Sequence, residues 1–217
     1  MQYDAIIQNI KNERIAIAVS TAAQMYLDFG ISEAKMTDIA EQAQIGVASL
    51  YRYFGTKQLF TVKVAAHIWK MTLQKLEPMY TGAQYEAMTG LEQVKALLNI
   101  FHSLLDSHRP FLRFLSEFDM FVIKEHLGQE HLKEYESCSL NILPVMTRAV
   151  KKGIADGTLR KDLDPTLFYF TVTDCLMSTC QRFAWGTMPN SENAQLNRQA
   201  LQMAIDMFLT YIQADTR

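Results

Sequence analysis

Residues 37–57, Thr-Asp-Ile-Ala-Glu-Gln-Ala-Gln-Ile-Gly-Val-Ala-Ser-Leu-Tyr-Arg-Tyr-Phe-Gly-Thr-Lys, contain two short apolar repeats separated by a break at Gly46. Ile39, Ala40 and Ala43 in the first repeat have the spacing of one inward helix face. Glycine is tolerated as an N-cap residue, so Gly46 predicts the start of a second helix. Two short helices joined by a tight turn are typical of a helix-turn-helix, whose second helix enters the major groove of DNA.

The second repeat predicts a helix with a narrow buried face. Leu50 and Phe54 lie four residues apart and point inward together. Base edges in the major groove are read by polar side chains, and thymine methyl groups by apolar ones. This predicts Thr37, Ser49 and Tyr51 as polar readers, Val47 and Ala48 as methyl contacts, and Arg52 and Tyr53 as further exposed residues of the same helix.

This segment resembles the DNA-binding domain of the TetR family of transcriptional regulators over about residues 15–60. The resemblance lies in the Asp-Ile-Ala of the first helix, the Leu-Tyr-x-Tyr-Phe of the second and Lys57 after a small polar spacer. It implies that Tyr53 and Lys57 contact phosphates. Three positions depart from the family pattern: Lys35 stands where Ser or Thr is usual, Gln44 where Gly is usual, and Gly46 where Ser is usual.

The rest of the chain also has helical periodicity, and no alternation typical of a strand persists. A first helix is predicted from Ile15 to Phe29, with Phe29 in its apolar stripe, and Gly30 follows as a common residue just past a helix end. A longer helix should run from a Thr56 cap to about Glu77, just before Pro78. The fold class expected is all-α, with a three-helix DNA-binding domain at 1–60 and a larger helical domain at 61–217.

Two helices near the end of the sequence carry more apolar surface than one core requires. Asp164 and Pro165 predict the cap and first residue of a helix that continues to Trp185 and is apolar nearly all round. A final helix at about 192–211 has two apolar stripes. In TetR-like proteins the last two helices of each subunit pair, so the resemblance implies a homodimer.

The resemblance also implies a small-molecule effector in the larger domain. Met and Phe each occur twelve times, and such side chains can adapt around an apolar ligand. The effector expected is therefore small and largely apolar. The predicted contacts are the aromatic residues and nearby polar groups of this part of the chain: His102, Phe114, Glu117, Phe118 and Asp174.

Composition and net charge argue against a strongly basic DNA-binding protein, a membrane protein and a zinc- or disulfide-stabilised protein. The chain of 217 residues has a net charge of −2, and residues 1–60 have a net charge of −1, so phosphate contact must come from a few placed cations. No stretch approaches the roughly 18 apolar residues of a membrane span, and a cytoplasmic protein is expected. Its three cysteines are too scattered for a zinc site or disulfide framework, and buried thiols are predicted.

Catalysis and metal binding lack a strong candidate. No nucleophile triad or glycine-rich phosphate loop occurs, so an enzyme and a cofactor are not expected. His126 and Glu130, with His131 and Glu134, are spaced as ligands on a possible helix, but a third ligand at matching spacing is missing. The function expected is a transcriptional repressor that binds an operator as a dimer and is released by its effector. An all-α ligand-binding or enzymatic bundle without specific DNA binding stays the alternative.

Overall fold

The computed structural model describes residues 2–139, 142–186 and 193–214, with side chains from residue 5. In these residues it is all-α, as predicted, and the only β feature is an isolated bridge between Leu159 and Gln213. The helices are α1 (Gln2–Phe29), α2 (Met36–Gln42), α3 (Val47–Phe54), α4 (Lys57–Leu76), α5 (Ala83–Ala87), α6 (Gly90–Ser107), α7 (Arg109–Lys124), α8 (Gln129–Ser139), α9 (Leu143–Asp156), α10 (Pro165–Trp185) and α11 (Ala194–Ile212).

The chain divides into two compact units. The first consists of Met1–Met71 and Phe114–Ser139, and the second of Thr72–Arg113 and Leu140–Arg217. The chain therefore changes unit three times: within α4, within α7 and after the end of α8. A functional boundary after residue 60 stays a prediction.

Aromatic side chains form much of the core of the first unit. Tyr26 and Phe114 are buried and stack with their ring centroids 6.3 Å apart, and Phe118 stacks on Phe114 at 5.9 Å. The Tyr26 hydroxyl lies 2.9 Å from the hydroxyl of Thr61. Burial raises the pKa of Tyr26 to about 12 despite this hydrogen bond, so Tyr26 is neutral in the core.

In the second unit, α6 and α9 approach closely because both contribute a glycine at their crossing. A Cβ atom added to Gly90 would lie 2.0 Å from the backbone nitrogen of Gly153. The N–H of Gly90 also donates to the Asp156 carboxylate at 2.8 Å, which ties the start of α6 to the end of α9. Gly90 therefore fixes the distance between these two helices.

Several predicted helix ends are confirmed. Helix α1 ends at Phe29 and α10 spans Pro165–Trp185, with Asp164 accepting from two backbone N–H groups of its first turn. Helix α4 begins at Lys57, where the Thr56 hydroxyl accepts from the N–H of Leu59 at 3.2 Å. Each of these ends follows from local capping chemistry.

Other expectations were wrong. Helix α1 begins at Gln2 instead of Ile15, and Phe29 is 66% exposed although it was assigned to the apolar stripe. As the last residue of the helix, Phe29 lies beyond the surface that α1 buries. The predicted start of the final helix at residue 192 lies outside the described residues, and α11 begins at Ala194.

The cysteine prediction was wrong at one position. Cys138 and Cys180 are buried, but Cys175 is exposed on α10 in the single chain. Burial raises the pKa of the Cys180 thiol to about 12. Cys180 is therefore an inert core residue, whereas Cys175 lies on the outer face of its helix.

Candidate nucleic-acid interface

The turn between α2 and α3 has the geometry of a helix-turn-helix despite its unusual residues. Gln44, in the position where glycine is usual, adopts a φ of +54° in the left-handed region. The N–H of Ile45 donates to the carbonyl of Ala40 at 2.9 Å, and the Ile45 side chain is buried between the two helices. Gly46 is the N-cap of α3 with a φ of −61°, as predicted. Lys35 caps α2 without a side-chain hydrogen bond.

Helix α3 is held by one narrow face. Leu50 is fully buried, and Phe54 packs on Phe60 with the ring centroids 4.5 Å apart. The residues predicted to face DNA all lie outside this core. Ala48, Tyr51 and Arg52 on α3 and Thr37 on α2 are exposed, whereas Val47, Ser49 and Tyr53 are partly buried. The structure thus brings seven of the eight predicted DNA contacts together on these two helices.

Arg52 and Tyr53 form a small cluster with Ser49 of α3 and Arg14 of α1. The Arg52 guanidinium donates to the Ser49 hydroxyl at 3.3 Å and lies 5.3 Å from the centroid of the Tyr53 ring. Hydrogen bonds from Arg52 and then Arg14 lower the pKa of Tyr53. Arg14 lies on α1 and was not among the predicted site residues. Only its contact with Tyr53 in the fold reveals it.

Lys57 is the eighth predicted DNA contact, and it lies at the first turn of α4. It is partly buried, and its ammonium group donates to the backbone carbonyl of Ile31 at 3.4 Å. Thr37 also has a local partner, because its hydroxyl donates to the carboxylate of Asp38 at 2.9 Å. Both polar groups are therefore oriented by the protein itself.

Glu117 makes a contact that sequence patterns do not predict. It was predicted to bind an effector, but its carboxylate accepts from the backbone N–H of Ile31 at 2.8 Å. Because Lys57 donates to the carbonyl of Ile31, both backbone groups of Ile31, two residues after the end of α1, are held by side chains. A partner 86 residues away is not visible in the sequence pattern.

The other predicted effector contacts fall in different units. Phe114 and Phe118 are core residues of the first unit, whereas His102 and Asp174 belong to the second. Asp174 is exposed on α10, and His102 Nε2 lies 2.9 Å from the side-chain oxygen of Gln202. Effector binding by these residues stays a prediction.

The four side chains considered as metal ligands, His126, Glu130, His131 and Glu134, do not lie together on one helix. His126 has a φ of +51° and precedes α8, so His126 and Glu130 do not share a helix. Glu134 instead accepts from Lys63 at 2.7 Å. Burial raises the pKa of its carboxyl, but Lys63 and Lys70 together outweigh burial, so the pKa is lowered. Across the described ranges, no group of three or more His, Cys, Asp or Glu side chains is placed to hold a metal ion.

Comparison with known proteins gives the same assignment as the geometry. Residues 18–60 match the model of the family described as "Bacterial regulatory proteins, tetR family". The chain is 26% identical over 156 residues to the HTH-type transcriptional repressor KstR2 of Mycolicibacterium smegmatis, with 70% of this chain and 71% of that protein covered.

Solved structures share the fold over nearly the whole chain. A TetR-family regulator structure from Mesorhizobium loti has a TM-score of 0.70 at 14% identity, covering 94% of this chain and 98% of that one. The regulator FadR of Bacillus subtilis, solved in complex with stearoyl-CoA, has a TM-score of 0.61 at 13% identity, covering 90% and 97%. None of the helices in the described part of this chain has the length and apolar character needed to cross a membrane. The helix-turn-helix segment at residues 18–60 thus matches the TetR family model, and the fold of the chain is similar to that of solved TetR-family regulators.

Proposed function

We propose that this protein is a transcriptional repressor that binds its operator as a homodimer in the cytoplasm and is released by a small, largely apolar effector. One observation carries the DNA-binding part. Helix α3 packs through Leu50 and Phe54, and its other side chains lie outside the core, exposed or partly exposed, including polar groups suited to base edges. An eight-residue helix is marginal by itself, so its position depends on packing, and its outer face is free for recognition.

Within this interface we assign two kinds of contact. Val47, Ala48, Ser49 and Tyr51, with Thr37 of α2, would read base edges. Tyr53 and Lys57 would position the protein on the phosphate backbone and carry little sequence information. The Arg52 guanidinium already stacks on Tyr53 and has hydrogen-bond donors available for a phosphate.

The test is binding to duplex DNA from the region upstream of the protein's own gene, compared with a duplex of the same length and scrambled sequence. We expect clearly tighter binding to the upstream duplex, because specific sites of this class exceed non-specific DNA by about 10³-fold or more. Equal affinity for both duplexes would favour the alternative class, an all-α ligand-binding or enzymatic bundle that does not read sequence.

The proposal of a dimer is supported by the outer surface of α10 and α11. Large apolar side chains are exposed there, including Leu167 at 67% and Met207 at 68%. A groove of about 630 Å³ runs between these helices and is lined by Phe168, Leu176 and Phe208 among others. Contiguous exposed apolar surface of this kind marks an interaction site. A second copy fits it, because two-fold interfaces use the same patch on both subunits.

The dimer is tested by placing a charge in this surface. Met207→Asp would bury an unpaired carboxylate in the interface, and we expect a monomer by light scattering at micromolar concentration. Met120→Asp is the matched control, because Met120 is 63% exposed on α7 and belongs to the other unit. A monomeric parent, or a dimer that survives Met207→Asp unchanged, would contradict the proposal.

The proposal of an apolar effector draws support from one relative, since the Bacillus subtilis FadR structure contains stearoyl-CoA. In the second unit of this chain, His102 offers a polar contact for such a ligand. Its Nε2 atom pairs with Gln202, whereas Nδ1 is buried and has no hydrogen-bond partner among the described residues. A buried nitrogen without a partner is costly, and a ligand group bound there would relieve that cost.

A further inference from the structure

Helix α1 extends well beyond the segment that matches the TetR family. The match begins at residue 18, whereas α1 begins at Gln2, so about four helical turns, roughly 24 Å, precede it. These turns bury little. Ile6, Ile7, Ile10 and Ile17 are each about half exposed. Burial of apolar surface within the chain therefore does not explain why α1 extends so far toward the N-terminus.

The extension forms a groove with the end of the recognition helix. A cavity of about 360 Å³ is lined by Ile7, Ile10, Lys11, Arg14, Arg52 and Tyr53. Three of these side chains are cations, and among the described residues that line the groove there is no carboxylate. Glu13, the nearest acid along α1, is exposed and does not line the groove. The groove is therefore strongly positive although residues 1–60 as a whole have a net charge of −1.

The cations of the groove are arranged around one aromatic ring. Arg52 stacks on Tyr53 at 5.3 Å, and Arg14 reaches the Tyr53 hydroxyl from α1. Lys11 lies one helical turn before Arg14, on the same side of α1. All three cations are exposed. Cations held close together repel one another, and an anion bound between them removes this repulsion. Phosphate suits this position because one guanidinium group can donate to two of its oxygens at once.

We propose that Lys11 and Arg14 of the α1 extension, together with Arg52 and Tyr53, bind the phosphate backbone of duplex DNA beside the major groove that α3 enters. This inference rests on the proposed DNA-binding function and adds a contact outside the helix-turn-helix. It makes α1 a positioning element, which strengthens binding to every sequence alike. It also predicts a steeper salt dependence than the net charge of residues 1–60 indicates.

The experiment measures affinity against salt for Lys11→Gln with Arg14→Gln. The probe is a labelled duplex of mixed sequence of about 30 base pairs, roughly three helical turns, titrated between about 50 and 200 mM KCl. The charge-matched control is Lys95→Gln with Lys151→Gln, which removes two exposed cations from the second unit. Circular dichroism and the unfolding midpoint check that both double variants fold as the parent does.

We expect the slope of log affinity against log salt to become shallower by about 1–2, because each lost phosphate contact accounts for about 0.9. The control should keep the parent slope. For every variant, the ratio of affinities for the upstream and mixed-sequence duplexes should stay within about twofold of the parent's ratio. Arg14→Lys, which keeps the charge, should also keep the slope.

A double variant with the parent slope would overturn the inference, whether or not its preference between the two duplexes changes. This result leaves the proposed function intact if the parent prefers its upstream duplex. A parent that binds neither duplex would instead remove the proposed function, and this inference with it.

Discussion

At the scale of single residues, the connection between α1 and α2 is fixed by charge and by the absence of a side chain. Gly30 has a φ of +88°, and a Cβ atom there would lie 2.6 Å from a carboxylate oxygen of Glu117. That carboxylate holds the N–H of Ile31, while Lys57 holds its carbonyl. Because Lys57 starts α4 and Glu117 lies on α7, the backbone of Ile31 connects the end of α1 to both helices within the first unit.

Gly30→Ala should therefore destabilise the protein for two reasons. The left-handed backbone costs about 1–2 kcal/mol for a residue with a Cβ atom. Displacing the Glu117 carboxylate adds about 1.5–3 kcal/mol, because its hydrogen bond to the N–H of Ile31 is lost. A double-mutant cycle with Glu117→Ala separates the two contributions. In urea unfolding, Gly30→Ala should cost less in the Glu117→Ala background than in the parent. An equal cost in both backgrounds would show that Glu117 is not the obstacle.

The reading and positioning residues of the interface should behave differently. Tyr53→Phe and Lys57→Ala should weaken binding to the upstream and scrambled duplexes by the same factor, because phosphates are alike in every sequence. Val47→Ala and Ser49→Ala should shift the preferred base at one operator position by about 1–3 kcal/mol where a good contact is lost. Competition with single-substituted operators measures both effects. Four variants with the parent's affinities and preferences would mean that α3 is not the recognition helix.

At the scale of helices, α6 and α9 of the second unit approach closely where they cross. A Cβ atom at Gly90 would meet backbone atoms of Gly153, which move only if the helices separate. The same separation would weaken the hydrogen bond from Gly90 to Asp156. The helix spacing is therefore set by backbone contact at this point.

Gly90→Ala should lower the free energy of unfolding by about 1–3 kcal/mol or more, since overpacking against backbone has no cheap relief. Gly46→Ala is a useful control for stability, because Gly46 has a φ of −61° and nothing within 4 Å of its added Cβ atom. Its expected loss is below about 1 kcal/mol, from the weaker N-cap. Similar midpoints for the two variants in thermal unfolding would argue against the tight crossing.

The helices also show where sequence patterns suffice. Helix α10 is predictable from Pro165 to Trp185 because its Asp164 cap, its first proline and its apolar run are all local signals. Helix α3 was predicted from Gly46, Leu50 and Phe54 for the same reason. Local chemistry determines these ends, so no knowledge of the fold was needed.

Features that depend on distant partners were missed. The start of α1 at Gln2 was missed. The isoleucines of its first turns remain exposed, so they do not belong to the buried apolar stripe from which the helix was predicted. The contact of Glu117 with Ile31 spans 86 residues, and the groove that includes Arg14 exists only once α1 and α3 are packed. Interface and effector residues assigned by pattern alone therefore need the fold before their partners can be named.

At the scale of the whole molecule, regulation requires that operator and effector binding be linked. An effector that favours release must bind the free protein more tightly than the operator complex, by the same factor by which it weakens operator binding. Stearoyl-CoA is one probe, and coenzyme A without the acyl chain is its control for an apolar requirement. Calorimetric titration into free and operator-bound protein should show matched factors for an inducer. Equal affinities in the two titrations would exclude the probe as an inducer.

The most direct test of the central claim is selection of bound duplexes from a random pool by the parent protein and by Ser49→Ala. A dimer reading DNA through α3 should enrich a two-fold symmetric sequence whose half-sites lie about one helical turn apart, or a small multiple of it. Ser49→Ala should relax the preference at corresponding positions in both half-sites and leave the spacing unchanged. No enriched sequence, or an identical preference for both proteins at every position, would contradict the account.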